Sequence, residues 1–529
     1  MRKKGHKPLN RINTYLKNPS VLCTELESGA VLLNLETKCH YKLNQTGLRI
    51  WQLIDEFSNP IDIAQKLAEE YAVDKEKTIT SVVKLIKELQ KEEIILLDKT
   101  SKENKENEFV LVLTGDSIIT RRLSVYEEEE FLSVIELIRK ADIRFTNLEV
   151  LIHNYEGYPA AESHGTHMAA EPFVAKELKW VGFNLVSRAN NHAMDYGIKG
   201  LMTTSKLLDE VGLVHAGVGK NLALARAPAY LETKSGRVAL ISCSSTFPTF
   251  FRAGEQRRDI KGRPGLNPLR YQTTYVVDSQ FMDEIKRISS LLKIPLAGSK
   301  ESFKFLGSRF MVGDYPKIIT TPFELDLKGN IESIKEARRQ ADLVLVSHHA
   351  HEANGEIGIP AEFIVTFARA SIDAGADVFI GHGPHVLRGI EIYKDKPIFY
   401  SLGNFIFQFE TVKFLPAEAY EDYGLESSSS PADLYRIREK KGKRKTGFST
   451  NPIYWVSVLP QITFKNRILC EINLYPITLG FGNPIHKRGY PMLANKTLGQ
   501  RIINRLKQLS LPFGTGITYE DGVGIVKIK

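Results

Sequence analysis

Five short polar clusters hold the residues best able to do chemistry: Gly115-Asp116, Asn147-Leu148-Glu149, Ala189-Asn190-Asn191-His192, His348-His349-Ala350-His351 and Gly381-His382-Gly383-Pro384-His385. Each follows an apolar run of strand length. Together they offer two carboxylates, side-chain amides and several imidazoles, and no thiolate. That donor set suits a divalent ion of hard-to-borderline character, such as Mn, Fe, Zn or Co. A carboxylate such as Glu149 can bridge two ions, and ions paired ~4 Å apart recur in hydrolases. Ten of the thirteen histidines fall between His153 and His385. Packing alone accounts poorly for that clustering, because each buried imidazole needs its own partners. Taken singly, some of these residues have plainer readings: Asp116 as a turn residue, His348 as a strand-end core residue.

The runs that must position the clusters are 109–114, 143–146, 185–187, 238–242, 343–347, 378–380 and 397–401. Their near-continuous apolar character predicts strands covered on both faces by helices, an α/β arrangement. Ligands in such sheets collect at the carboxyl ends of strands, so five strand ends could converge on one site. Stretches 250–317 and 410–449 lack clear periodicity and read as insertions. The charged segment 99–108 (KTSKENKENE) cannot bury a core and reads as a linker between residues 1–98 and 109–529. Before it, strand-like runs at 21–24, 30–35 and 40–43 precede helical patterns at 47–57, 61–71 and 78–91, with a last apolar run at 94–97. A small sheet with three helices is a winged-helix outline.

The length of 529 residues predicts two to four domains, at roughly 100–200 residues each. With 43% hydrophobic and 25% charged residues the chain is neither disordered nor fibrous. Its net charge of +9 is concentrated in the N-terminal tail and in Arg436 to Lys445. Solvated basic segments explain that excess more simply than a nucleic-acid surface. A winged helix could bind DNA, but after residue 17 the unit is not basic. The four cysteines, with no C-x-x-C pair, suit a reducing compartment rather than a disulfide framework or zinc knuckle. No apolar run approaches the ~20 residues of a membrane helix, and no apolar h-region follows the basic N-terminus. The expectation is a cytoplasmic protein with neither nucleic acid nor membrane as partner.

The motifs TGDSIITR, FTNLE, LVSRANNHAMDYG, VSHHAHE, DAGADVFIGHGPHVLRGIE and IFYSLGNFIF run in order from Thr114 to Phe407. They resemble the CapA-like (poly-γ-glutamate capsule synthesis) family, a branch with the calcineurin-like metallophosphoesterase fold. The resemblance implies a four-layer α/β/β/α sandwich. It further implies that Asp116, Glu149, Asn191, His349, His382 and His385 hold one or two divalent metal ions. His192 would be the imidazole acting as acid or base beside them. Two departures from the general phosphoesterase pattern are shared with that branch: Ile118 replaces a histidine, and Asn190-Asn191-His192-Ala193 stands for Gly-Asn-His-Asp. They leave one metal position poorer in ligands and weaken a plain phosphoesterase reading.

Residues 18–98, through AVLLNLETKCHYKLNQTGLRIWQLIDE and EEIILL, resemble the PqqD-like peptide-recognition domains. That resemblance implies capture of the leader of a ribosomally made precursor peptide, as a strand added to a sheet edge. The two resemblances together imply a metal-dependent enzyme of peptide maturation, with Cα epimerisation to a D-residue as one activity. The alternatives are an amide or phosphoester hydrolase and a poly-γ-glutamate capsule synthesis factor. His192 is the first proton carrier; His351 and His167 are eligible for the opposite face. His164 and His167 share a Gly-containing loop that either faces substrate or lies on the surface. Arg188 either grips a substrate carboxylate or phosphate or serves a buried ion pair. Asp195 reads as a residue near the N-terminus of the following helix.

Overall fold

In the first part of the chain, Val21–Leu26, Gly29–Asn34 and His40–Asn44 form an antiparallel sheet. Gly29 sits at φ 145, and a Cβ there would lie 1.8 Å from the carbonyl oxygen of Leu43, so only glycine fits. The helices Gln45–Leu53, Pro60–Tyr71 and Lys75–Lys91 begin after Asn44, Asn59 and Asp74, whose side chains each accept a backbone N–H of the first turn. Their inner faces meet the sheet through Leu32, Leu43, Trp51, Leu67 and Ile86. Tyr15–Lys17 pairs with Ile95–Leu97 and joins the two ends of the unit. The outer strand Val21–Leu26 has no neighbour on its far side among the described residues and leaves Leu22 and Leu26 exposed.

This computed structural model describes residues 15–57, 59–97, 108–299, 302–426, 428–438, 440–441, 444–445 and 447–528. The basic tail before residue 15 and the linker 99–107 lie outside the described residues. The chain divides into two compact units, Met1–Lys105 and Glu106–Lys529.

The second unit is mixed α/β, with two large sheets. In one, Val214–Ala216, Leu185–Ser187, Ile143–Leu148 and Glu108–Ile118 run parallel. The antiparallel strands Val456–Lys465 and Ile468–Thr478 continue it. In the other, Gly236–Ser244, Leu343–His349, Val378–His382 and Lys396–Phe399 run parallel. Alternation along each strand explains the apolar runs. Phe109, Leu111 and Leu113 share a core with Val238, Leu240, Leu343 and Leu345 of the other sheet. The intervening Val112 packs instead with Phe131, Ile135, Leu178 and Leu208, which lie on helices. Val344 and Val346 likewise pack with Ile334, Phe363 and Phe367 of the helices beside the second sheet. With both strand faces buried, neither has a polar alternate.

The 250–317 stretch is more regular than its sequence pattern predicts. Tyr271–Val277, Ser302–Phe305, Ser308–Val312 and Lys317–Pro322 belong to a separate five-stranded sheet, joined by the helix Ser279–Leu291. Its strands are half-exposed on both faces, so neither a buried run nor a clean alternation marks them. Within 410–449, Pro431–Arg438 is a helix, and the basic run opens on its last turn. Lys440–Lys441 pairs with Arg444–Lys445, and residues 439, 442, 443 and 446 lie outside the described residues. All four cysteines are free. No described helix is long and apolar enough to cross a membrane.

His348 occupies the helix-facing side of its strand, edge-on to Phe363, Phe367 and Phe379, and neither ring nitrogen has a partner among the described residues. Burial, then the nearby His382 and Arg388, pushes its pKa down to about 3. A histidine held neutral in the fold but free to protonate at its ordinary 6.5 when unfolded costs stability as pH falls below that value. Between pH 7 and pH 5 the loss is roughly 2 kcal/mol. His348→Leu should therefore show a smaller drop in unfolding free energy across that interval than the wild type. Urea unfolding at the two pH values measures it, and parallel drops would refute the assignment.

Candidate metal centre

Strand register places the polar clusters. Ser244, His349 and His382 are lateral partners across three parallel strands. In the other sheet Asp116 is the lateral partner of both Asn147 and Asn404, the last at the start of the strand Asn404–Phe407. Gly115 permits this approach: a Cβ there would lie 1.8 Å from the Gly403 carbonyl oxygen, the acceptor of the Asp116 N–H at 2.9 Å. His385 adopts a left-handed backbone, φ 60. That conformation is uncommon for a side-chain-bearing residue and marks a position fixed by its surroundings. Asn404 supplies part of that hold, its Oδ1 lying 2.8 Å from His385 Nδ1.

The result is two adjoining groups of donors. In one, Asp116, His349 and His382 each offer an atom within 4.8 Å of the others; in the second, Glu149, His351 and His385 do the same. Asp116 Oδ1 is 3.4 Å from His382 Nδ1 and 3.7 Å from His349 Nδ1. Glu149 Oε1 is 3.7 Å from His349 Nε2 and 3.8 Å from His385 Nε2, so His349 faces both carboxylates. Burial raises the Asp116 pKa, but His382, His385 and the Asn147 amide outweigh it and hold the carboxyl below its ordinary range. Glu149 differs. Burial, then Asp116 and Asp195, pushes its carboxyl well above the ordinary range. Burial and neighbouring imidazoles hold His349 and His351 well below the usual histidine value, hence neutral and able to donate lone pairs.

Three oxygen atoms test whether a cation fits. Among the described residues neither Glu149 Oε1 nor Oε2 has a hydrogen-bond partner, and neither has Asn191 Oδ1, although all are buried. Unpartnered buried acceptors are costly. Glu149 Oε1 faces His349 Nε2 and His385 Nε2, and each neutral imidazole keeps one lone-pair nitrogen free to bind a cation. A divalent cation satisfies all of them, and the N/O donor set suits one.

The sequence model of the family described as bacterial capsule synthesis protein PGA_cap matches residues 110–409. The chain belongs to the PGA_cap family. A PqqD domain, described as coenzyme PQQ synthesis protein D, matches residues 29–95 ahead of it. Uncharacterized protein y4sH of Sinorhizobium fredii is 37% identical over 430 residues, covering 79% of this chain and 93% of the relative. Capsule biosynthesis protein CapA of Bacillus anthracis is 28% identical over 312 residues, 58% of this chain and 61% of the relative. Among solved structures, TbiB1 in complex with the TbiA(beta) leader peptide is 26% identical over 15% of this chain and 92% of that one, with a TM-score of 0.14.

In this PGA_cap chain the expected site residues divide. Asp116, Glu149, Asn191, His192, His349, His382 and His385 are gathered with His351, which falls in the second donor group. His164 is exposed and lines the pocket beside them. His167 and Arg188 are corrections. The His167 ring donates to the Ala160 carbonyl oxygen at 2.8 Å and packs edge-on against Tyr196, so it is not turned to the centre. Arg188 is buried toward the helix Gly197–Glu210, donating to Ser205 Oγ and the Leu201 carbonyl. Burial pushes its pKa down to about 9. Among the described residues it forms no ion pair, although Asp209 lies near, and it does not line the pocket.

Asp195 lies near the N-terminus of the helix Gly197–Glu210, as expected, but its side chain serves His192. It caps no helix: its Oδ2 lies 2.7 Å from His192 Nδ1 and accepts the Met168 N–H, while Oδ1 accepts from Ser163 Oγ. This carboxylate orients His192 so that Nε2 points toward Glu149, 4.0 Å away. Asn147, named only as part of a polar cluster, donates to Asp116, and two residues with no sequence signal also support the centre: Asn404, and Ser347, whose Oγ lies 2.7 Å from His382 Nε2. Arg388 was missed as well. Its guanidinium donates to the carbonyls of Ala350, His351 and Ile357 and so holds the loop that carries His351.

Beside the centre opens a pocket of about 230 Å³. Asn191, His192, His351 and His385 line it together with an apolar set that includes Ile118, Phe407 and Phe448. Ile118 stands where a phosphoesterase would place a histidine, and it gives that wall hydrocarbon instead of a ligand.

Proposed function

We propose that this chain is a metal-dependent enzyme that modifies a ribosomally made precursor peptide, epimerising one residue at Cα. The observation that carries the reading is the joining, in one chain, of a PqqD domain and a buried imidazole–carboxylate centre with a half-apolar pocket. In this reading residues 1–98 form a winged helix that holds the leader along a sheet edge. Residues 99–108 are the linker, and 109–529 form the four-layer α/β/β/α catalytic sandwich.

Asp116, His349 and His382, with Glu149, His385 and Asn191, would hold one or two divalent ions, leaving the His351 imidazole beside them uncoordinated. A cation held by these residues would supply Lewis acidity toward a peptide carbonyl, which would acidify the adjacent Cα–H. His192 keeps its Nδ1 side on Asp195 and uses Nε2 to take or return the Cα proton. His351 is the first choice for the opposite face, and the aromatic wall excludes water from the reacting carbon. Hydrolysis of an amide or phosphoester would draw on the same donors, and the apolar Ile118 counts against its phosphoester form.

Backbone pairing along an exposed strand edge with a few apolar anchors supports roughly micromolar affinity, ~8 kcal/mol. The labelled leader of a precursor encoded beside the gene should therefore bind the full chain with a Kd near or below that level in fluorescence anisotropy. Duplex DNA should not compete. Binding of DNA without binding of leader would overturn this view of the first domain.

A further inference from the structure

A second pocket, of about 280 Å³, adjoins the metal centre, and Arg252, Arg270, Tyr271 and Glu352 line it. His164 is common to both pockets. Thr246 also lines the second pocket, and its Oγ1 accepts the backbone N–H of His351 at 2.8 Å. The two pockets therefore share His164 and back onto one hydrogen bond.

Most of the charge in this second pocket is already committed. Arg270 donates to both oxygens of Asp326, at 2.7 and 2.8 Å. Glu352 accepts from Ser245 Oγ at 2.8 Å and Thr246 Oγ1 at 2.9 Å, and the Tyr271 hydroxyl also bonds it. Arg252 is the exception. It is half-buried, and among the described residues its guanidinium has no hydrogen-bond or ion-pair partner. Two of its charged neighbours, Arg270 and Arg263, are cations, and the nearby carboxylate of Asp326 already holds Arg270. A partly desolvated guanidinium with five N–H donors and no acceptor calls for an anionic oxygen ligand.

We infer that this pocket is a carboxylate subsite, in which Arg252 binds the acidic side chain of a residue next to the one held in the metal centre. The inference rests on the reading that a peptide enters that centre. Neighbouring residues of an extended chain lie ~3.3–3.6 Å apart and point to opposite sides, which suits two pockets with a common wall. One uncommitted cation matches one monoanion. A phosphate dianion would bring a second negative charge beside Glu352, so a carboxylate is the better match.

The test is a ligand-observed NMR titration of the full chain with N-acetyl-glutamate amide, its glutamine counterpart and N-acetyl-O-phosphoserine amide. It is run in chelator and repeated on Glu149→Gln protein. The glutamate probe should bind about tenfold or more tightly than the glutamine probe. Arg252→Met should erase that preference without altering the melting temperature, and Arg252→Lys should keep part of it. Equal binding of the first two probes to wild type, an unchanged preference in Arg252→Met, or tighter binding of the phosphoserine probe would each overturn the subsite. Loss of the preference in Glu149→Gln would put the carboxylate at the metal centre and overturn it too. An intact preference in a protein that leaves its precursor unaltered would remove the epimerase reading and leave the subsite standing.

Discussion

Glu149→Gln protein should purify with less than about a tenth of the wild-type content of divalent metal, yet in chelator it should be the more stable of the two. Both halves follow from one feature. The Glu149 carboxylate is buried, has no hydrogen-bond partner among the described residues and lies near Asp116, and its pKa stands well above the ordinary 4.5. A group whose folded pKa is raised destabilises the fold as pH rises above its unfolded value, until the folded pKa is passed. Metal-free wild type should therefore lose stability on the alkaline side, and the neutral amide should not. His349 and His351 act in the opposite sense: held well below 6.5, they cost stability as pH falls beneath that value. With metal in excess the order reverses, because a ligand present at 100 times its Kd adds about 2.7 kcal/mol to a fold that binds it. Elemental analysis and melting curves from pH 5 to 9, with and without chelator, measure all of this. Equal metal content, or a variant less stable than wild type in chelator, would remove Glu149 from the centre.

What the sequence made legible follows from how strands display residues. Asp116, Glu149, His349, His382 and His385 lie at or just beyond the ends of apolar runs, so their types and order could be read along the chain. Their supports could not. Asn147 and Asn404 meet Asp116 only through lateral register between strands, and nothing in the local pattern near Asn404 shows that Asp116 lies beside it. Asp195 was legible in position but not in direction. Three residues after His192 and two before the helix Gly197–Glu210, it does lie near that helix's N-terminus, but the turn brings its side chain back to the imidazole, which no local pattern shows. Arg188 and His167 failed in a related way, because adjacency in sequence to Asn191 or His164 does not decide which face a side chain takes. The strands of the five-stranded sheet were hidden by their half-exposure, since hydrophobic periodicity reports burial and weakens when burial is partial.

Incubated with its precursor in deuterium oxide, the wild-type enzyme should add one deuteron at a single Cα and leave the peptide uncut. His192→Ala should slow that exchange ~10²-fold or more, which at 1.36 kcal/mol per factor of ten removes about 2.7 kcal/mol of transition-state stabilisation. Asp195→Asn should slow it about tenfold or more with little change in KM, because Asp195 positions His192 without touching substrate. A cleaved peptide or released phosphate would convert the reaction to hydrolysis. A precursor recovered unlabelled and intact from metal-replete enzyme would move the reading to a binding role in capsule polymer synthesis. The two variants at this centre are informative chiefly as a pair. His192 Nε2 stands 4.0 Å from Glu149 Oε1, and His192 belongs to neither donor group. His192→Ala should therefore keep the wild-type content of metal while losing exchange, whereas Glu149→Gln should lose both. If removing His192 also emptied the centre, its imidazole would be a ligand rather than the proton carrier, and the Cα proton would have to leave through another of the histidines that line the pocket.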